Sequence, residues 1–443
     1  WSKRTMEQAW RWYGPDDPVT LEHVKQAGAT GIVTALHDVP IGDVWTVDAI
    51  EARKSLVERS GLTWSVAESI PVHEAIKQGR EPERSAFIDK YKASVTNLGR
   101  CGVRLLCYNF MPVIDWTRTD LERGWPDGSR ALAFDLLDFA AFELHLLQRP
   151  GAEACYDAPV RARAAARFAD MSEDGREALA RTVTAGLPGR TTAAGSSLAD
   201  FQACLDAYAG IDKITMQANL AHFLREVVPA AAAAGVYMAI HPDDPPMPLL
   251  GLPRVVSCES DVQHILAAVD SPHNGLTFCV GSYASSSAND VEGMAERHAA
   301  RTHFVHLRNV RRTDGGGSFV ERALDFFCQH AFLFYRRRLL RRERPPRWRG
   351  RHVSRRAHVC TRGRPAAARR RRAATLAVPA GPRAQDARRP GGRPSHKPGL
   401  HGDWAAARPR RDPRLAGGDP AIRGNGRVSA SELGQSHNPG EGG

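Results

Sequence analysis

From Met6 to about Arg308 the chain alternates short apolar, β-branched runs with amphipathic helical stretches, and this alternation restricts the fold more than any other feature. GIVTAL (Gly31–Leu36), LTWSVAE (Leu62–Glu68), VRLLCYNF (Val103–Phe110), VYMAIH (Val236–His241), LTFCV (Leu276–Val280) and THFVHL (Thr302–Leu307) read as strands. Val47–Ser60, Ser85–Leu98, Gln217–Gly235 and Asp261–Val269 read as helices between them. Strands separated by helices pair in parallel, because a parallel crossover needs a connection of about a dozen residues or more. So many βα units with polar strand ends predict an α/β protein with a (β/α)8 TIM barrel rather than an open sheet. Residues 111–210 interrupt the pattern with a long, charged, mostly helical insertion after a strand, the place where a lid over a barrel mouth is accommodated.

The alternation stops near residue 323, and the charge changes sign there. Residues 331–443 carry 28 Lys and Arg against 7 Asp and Glu, whereas the remaining 330 residues carry 33 against 42. An acidic body is therefore followed by a strongly basic tail, and two domains are expected, the barrel over 6–323 and a low-complexity Arg-rich segment over 324–443. Runs such as RRRLLRRERPPRWRGR show no apolar face, so this tail is expected to be disordered. One lysine, Lys397, stands among its basic residues. Phosphate-binding surfaces ordinarily mix Lys with Arg, whereas GC-rich coding sequence read out of frame yields Arg, Pro, Ala and Gly.

The N-terminal residues Trp1–Trp12 have no apolar stretch after Lys3 and Arg4, so no secretory signal is expected, and Trp1–Thr5 receive no role. No apolar run reaches the length of about 18 residues that a membrane helix needs. Eight cysteines without a CxxC pair fit reduced thiols and a cytoplasmic location.

Three predicted strands end on metal-binding donors. His241 closes VYMAIH ahead of Pro242, Cys279 lies in LTFCV, and His306 lies in THFVHL. A lone histidine is more often a turn residue than a ligand, and a lone cysteine more often a small core residue. Together, at the carboxyl ends of barrel strands, two imidazoles and a thiol suit a divalent transition metal. A carboxylate ligand is missing from this set, since Asp243 and Asp244 lie too close to His241 to be assumed to bend back. The stretch NFMPVIDWTRTD offers Arg118 for a substrate carboxylate and Asn109 or Asp115 for hydroxyls, and Asp243 and Arg308 are further substrate-binding candidates. A salt-bridged surface loop is the plain alternative for each.

RWYGPDDPVTL, ATGIVTALH, ESIPVHE, CYNFMPVIDWTRTDL, FAAFELHLLQRPGAE, AGLPG, HPDDPP, LGLPRVVS, NGLTFCVGS and HFVHLRN occur in succession. As a set they resemble the bacterial D-mannonate dehydratase family, whose barrel is of the xylose-isomerase-like class, over about residues 6–323. The resemblance implies dehydration of D-mannonate to 2-dehydro-3-deoxy-D-gluconate in hexuronate breakdown, with Mn2+ or Fe2+ as cofactor. It also implies that His241, Cys279 and His306 are the metal ligands. The partner implied is a small sugar acid; no specific nucleic acid and no membrane are expected, and a homo-oligomer is left open.

The family's RPDHGH motif, which supplies the fourth ligand and a catalytic His, and its NPGY motif, which supplies a Tyr, are both absent, so no catalytic residue is assigned. Pro379–Pro390, PAGPRAQDARRP, can nevertheless be encoded so that a one-base shift reads RPDHGHKMLDDL. His396–Leu415 likewise permits TNPGYTAIGRLRGLAEIRGW. A frameshift between about residues 323 and 330 is therefore expected, with impaired activity for the chain as written. The alternatives are a metal-dependent sugar isomerase on the same barrel and nucleic-acid binding through the basic tail.

Overall fold

The computed structural model describes residues 6–185, 197–313 and 317–322, and the backbone alone of 352–355. Its sheet begins with β1 (Glu7–Arg11), β2 (Gly31–Thr34), β3 (Thr63–Glu68) and β4 (Leu105–Tyr108), paired in parallel. After an excursion that contains β5 (Asp120–Gly124) and β6 (Arg130–Phe134), the sheet resumes with β7 (Tyr237–Ile240), β8 (Asn274–Cys279) and β9 (Thr302–His306). Then come β10 (Asn309–Thr313) and β11 (Ser318–Arg322), and finally β12 (His352–Arg355), whose backbone pairs in parallel with β1 and β9. The ring runs β1-β12-β9-β8-β7-β4-β3-β2 and is closed.

β2, β3, β4, β7, β8 and β9 are buried almost throughout, which explains why they read as continuous apolar runs. Adjacent residues point to opposite sides. Ala9, Val33, Val66, Leu105, Cys107, Ala239 and Phe304 form one cluster inside the barrel. Their neighbours Ile32, Ala67, Leu106, Met238 and Ile240 belong to the larger core shared with the helices. The helix Val47–Arg59 starts where the Thr46 side chain accepts from the Ala49 N–H at 3.3 Å. The helix Glu83–Arg100 buries Ile88, Tyr91, Val95 and Leu98, a stripe at the 3.6-residue period. Against it lies the helix Lys213–Ala233, with Tyr91 edge-on to Phe223 at 5.0 Å. Gly99 permits that approach, since a Cβ there would stand 2.4 Å from the Ala234 carbonyl oxygen.

Three findings differ from the sequence reading. β1 lies in a polar, aromatic stretch that carries little apolar periodicity; its strand state comes from pairing with β2 and β12. The insertion, expected to be mostly helical, opens with the β5–β6 hairpin. Trp125 N–H donates to Ser129 O across a turn in which Gly128 adopts φ +82°. That hairpin joins β10 and β11 in a four-stranded antiparallel sheet ordered β10-β11-β6-β5, so the insertion is tied to the segment that follows β9. Only beyond β6 is the insertion helical, as expected. The third difference is β12, which falls in the basic segment where no strand is predicted. A parallel ladder is made by main-chain N–H and C=O groups, so the two open edges at β1 and β9 can accept an extended segment independently of its side chains. The other residues from 323 onward lie outside the described residues, and with them the expected tail.

Candidate metal centre

The carboxyl ends of three neighbouring ring strands deliver the donors that the sequence singles out. His241 follows the last residue of β7, Cys279 ends β8 and His306 ends β9. One ligand atom from each lies within 4.8 Å of the others. His241 Nε2 and His306 Nδ1 face each other at 3.1 Å. Cys279 and His306 are buried, and His241 is half-buried. The group thus sits at the rim, reachable from one side.

The electrostatics favour the metal-binding form of the thiol. Burial would push the Cys279 thiol up, but the Arg308 charge, His241 and hydrogen bonds from both imidazoles hold it well below its ordinary value. The Ser282 hydroxyl adds a donor at 3.1 Å. Burial disfavours a charged His306, yet the Glu68 carboxylate and Cys279 outweigh it and raise that imidazole. Two imidazoles and a thiolate crowded together are a soft, nitrogen-rich donor set, which fits a divalent transition ion.

Beside the triad lies a buried ion network. Arg118 donates to both Asp244 oxygens, at 3.0 and 3.2 Å, and to Glu321 at 2.7 Å. Arg308 also donates to Asp244, and its guanidinium lies 3.7 Å from Glu321. Burial would raise the Asp244 carboxyl, but Arg118 and Arg308 hold it well below the usual carboxylate range. Arg118 is stacked over Trp116 at 4.4 Å and Phe319 at 4.9 Å.

The remaining predicted site residues divide clearly. Arg118 and Arg308 are turned to Asp244 and Glu321. Asp243 is fully buried and accepts from Val256 N–H at 2.7 Å and Ser257 Oγ at 2.8 Å, which folds the loop after β7 back on itself. Burial raises its carboxyl, with Arg254 opposing. Asp115 accepts from Trp116 N–H at 2.8 Å and is buried. Asn109 alone of the five is half-buried, its Oδ1 accepting from Met111 N–H at 3.3 Å.

Several residues at the site escape the sequence reading. Glu68 ends β3 and Arg11 ends β1; their side chains pair at 3.0 Å, and Glu68 reaches His306 at 3.5 Å. A carboxylate closing the apolar run LTWSVAE was the available signal for Glu68. Arg11 and Glu321 gave none, because nothing local distinguishes them from surface charges. His37, just past β2, keeps both ring nitrogens without a hydrogen-bond partner, and burial with Arg11 and Arg53 nearby pushes it down to about 4. It is therefore neutral at physiological pH.

A parallel barrel whose strand ends converge two imidazoles and a thiol defines a metal-dependent barrel enzyme. Comparison with known proteins narrows the class. The family model described as D-mannonate dehydratase (UxuA) matches residues 6–332. A mannonate dehydratase of Chromohalobacter salexigens is 55% identical over 318 residues, covering 72% of this chain and 81% of that protein. One from Marinomonas sp. (strain MWYL1) is 49% identical over 316 residues, covering 71% and 80%. The crystal structure of mannonate dehydratase from Streptococcus suis serotype2 superposes with a TM-score of 0.56 at 39% identity, covering 72% of this chain and 77% of that one. The chain belongs to the D-mannonate dehydratase family.

Proposed function

We propose that the body of this chain is built for dehydration of D-mannonate to 2-dehydro-3-deoxy-D-gluconate, a step of hexuronate breakdown. The observation that carries the reading is the convergence of His241, Cys279 and His306 on the rim of a barrel belonging to this family. These three residues would hold the metal, and we assign Mn2+ or Fe2+. Removing water from a 2,3-dihydroxy acid requires loss of the proton next to the carboxylate and departure of the C3 hydroxyl. A bound divalent cation supplies Lewis acidity at the acid's oxygens.

The chain's own residues divide the remaining work. Asn109 and neutral His37 are placed against sugar hydroxyls, which both can accept from and donate to. Asp115, Arg118, Asp243 and Arg308 hold the loops that shape the mouth, with Arg308 also holding Cys279 as thiolate. The described cysteines are free thiols, which suits a reducing cytoplasm. Among the described residues no helix is long and apolar enough to cross a membrane.

The segment from about residue 324 is an out-of-frame translation in this reading, so the in-frame part of the barrel ends near residue 323 and β12 closes the ring with the main chain of the shifted segment. The shifted reading of Pro379–Pro390 restores a carboxylate ligand and a histidine, and that of His396–Leu415 restores a tyrosine. The chain as written then binds metal through three ligands and turns over little or no substrate. The test is an assay of 2-keto-3-deoxy acid formation from D-mannonate with Mn2+, run on this chain and on a frame-repaired version. Activity appearing with repair is the expected result. Equal activity of the two chains overturns the frameshift, and a ketose product from the repaired chain overturns the dehydratase reading in favour of isomerisation.

A further inference from the structure

The two histidines of the centre face each other through different nitrogens. His241 has Nδ1 at 2.7 Å from the Pro242 carbonyl oxygen, which can only accept. When the imidazole is neutral, as a metal ligand must be, its proton therefore sits on Nδ1 and Nε2 carries the lone pair. His306 turns the opposite way: Nδ1 faces His241, and Nε2 faces Glu68 Oε2 at 3.5 Å. Glu68 comes from β3, well around the ring from β9, and the same oxygen is 3.0 Å from Arg11 Nη1 at the end of β1. A carboxylate held by a guanidinium accepts the proton of an imidazole on its other side, and such partners fix the tautomer and orientation of metal-ligating histidines.

We propose that Glu68, anchored by Arg11, is the positioning residue of the metal centre: it takes the Nε2–H of His306 as a hydrogen bond, so that the ion is bound by Nδ1 of His306 and Nε2 of His241. The chain Arg11–Glu68–His306 spans the mouth and couples β1 and β3 to the ligand on β9. Removing the carboxylate frees the ring of His306 to rotate or to carry its proton on the nitrogen that must bind. The inference rests on the metal-centre reading above.

The test uses Co2+ as probe on the full chain. Titration of the unaltered protein should give a thiolate-to-cobalt charge-transfer band; its absence would defeat the metal-centre reading itself, before Glu68 is touched. Given the band, Glu68→Ala should weaken Co2+ binding by about 10- to 100-fold, the range for loss of an orienting partner. The paramagnetically shifted Nε2–H proton signal of His306, identified by its loss in His306→Gln, should vanish in Glu68→Ala through fast exchange with water. Glu68→Gln keeps an acceptor oxygen and should lie between, with the signal present and exchanging faster. Circular dichroism and thermal melting check that each variant is folded; should Glu68→Ala not fold, the exchange rate in Glu68→Gln decides. Unchanged affinity in Glu68→Ala, or unchanged exchange in Glu68→Gln, overturns the proposal and leaves the metal-centre reading standing.

Discussion

Two polar clusters sit side by side in the barrel mouth, and they are built on opposite principles. In the Arg118–Asp244–Arg308–Glu321 network positive and negative charges alternate, and each carboxylate meets guanidinium nitrogens. In the His241–Cys279–His306 group no carboxylate and no guanidinium is a member, and two imidazoles and a thiol converge within 4.8 Å of one another. The first cluster pairs its own charges, whereas the second is a donor set of the kind that suits a divalent ion. That contrast predicts different responses to mutation in the two clusters.

The largest effect is expected at Asp244. Asp244→Ala leaves two guanidinium groups buried beside one remaining carboxylate, and breaking a buried pair in this way costs about 3–5 kcal/mol. Urea unfolding should show the loss directly; a midpoint unchanged from the parent would mean that the network is not a scaffold. The pH dependence has a matching sign. Asp244 is held below its unfolded value, so its contribution is fully present above about pH 4, the unfolded carboxylate value, and is lost as pH falls through the lower folded value. Urea midpoints measured across that acid range should therefore fall more steeply for the parent than for Asp244→Asn.

Cys279→Ala should do the reverse, abolishing the cobalt charge-transfer band while changing unfolding stability by only about 1 kcal/mol. Collapse of the fold in this variant would erase the distinction between the clusters. The smallest effect is expected at His37. In a frame-repaired chain, His37→Ala should raise KM for D-mannonate by up to about tenfold, the loss of one hydrogen bond, with kcat less affected. An unchanged KM would remove His37 from the sugar-facing set.

The fold and the triad were legible for the same reason. Strands buried on both faces write themselves as continuous apolar runs, and a His or Cys at the end of such a run stands out against it. His241, Cys279 and His306 all have this setting, and the structure brings them together. The scaffold cluster was not legible in that way. The ion pairs of Arg118 leave no local trace, because Asp244 and Glu321 lie 126 and 203 positions from it along the chain. The β5–β6 hairpin was passed over although Asp127-Gly128 is a turn signal, since the helical stretches around it dominate the composition of the insertion.

The sheet that joins β6 to β11 sets a timing problem for the ribosome. Leu136 N–H and its acceptor Ser318 Oγ are 182 residues apart. At ordinary elongation speeds the β5–β6 hairpin waits roughly 10–40 s for its neighbour to be synthesised. During that interval the β6 edge is exposed and Arg118 lacks its Glu321 partner. The nascent chain is then most open to misassociation well before its catalytic face exists, and slower decoding between those two points would lengthen the exposure.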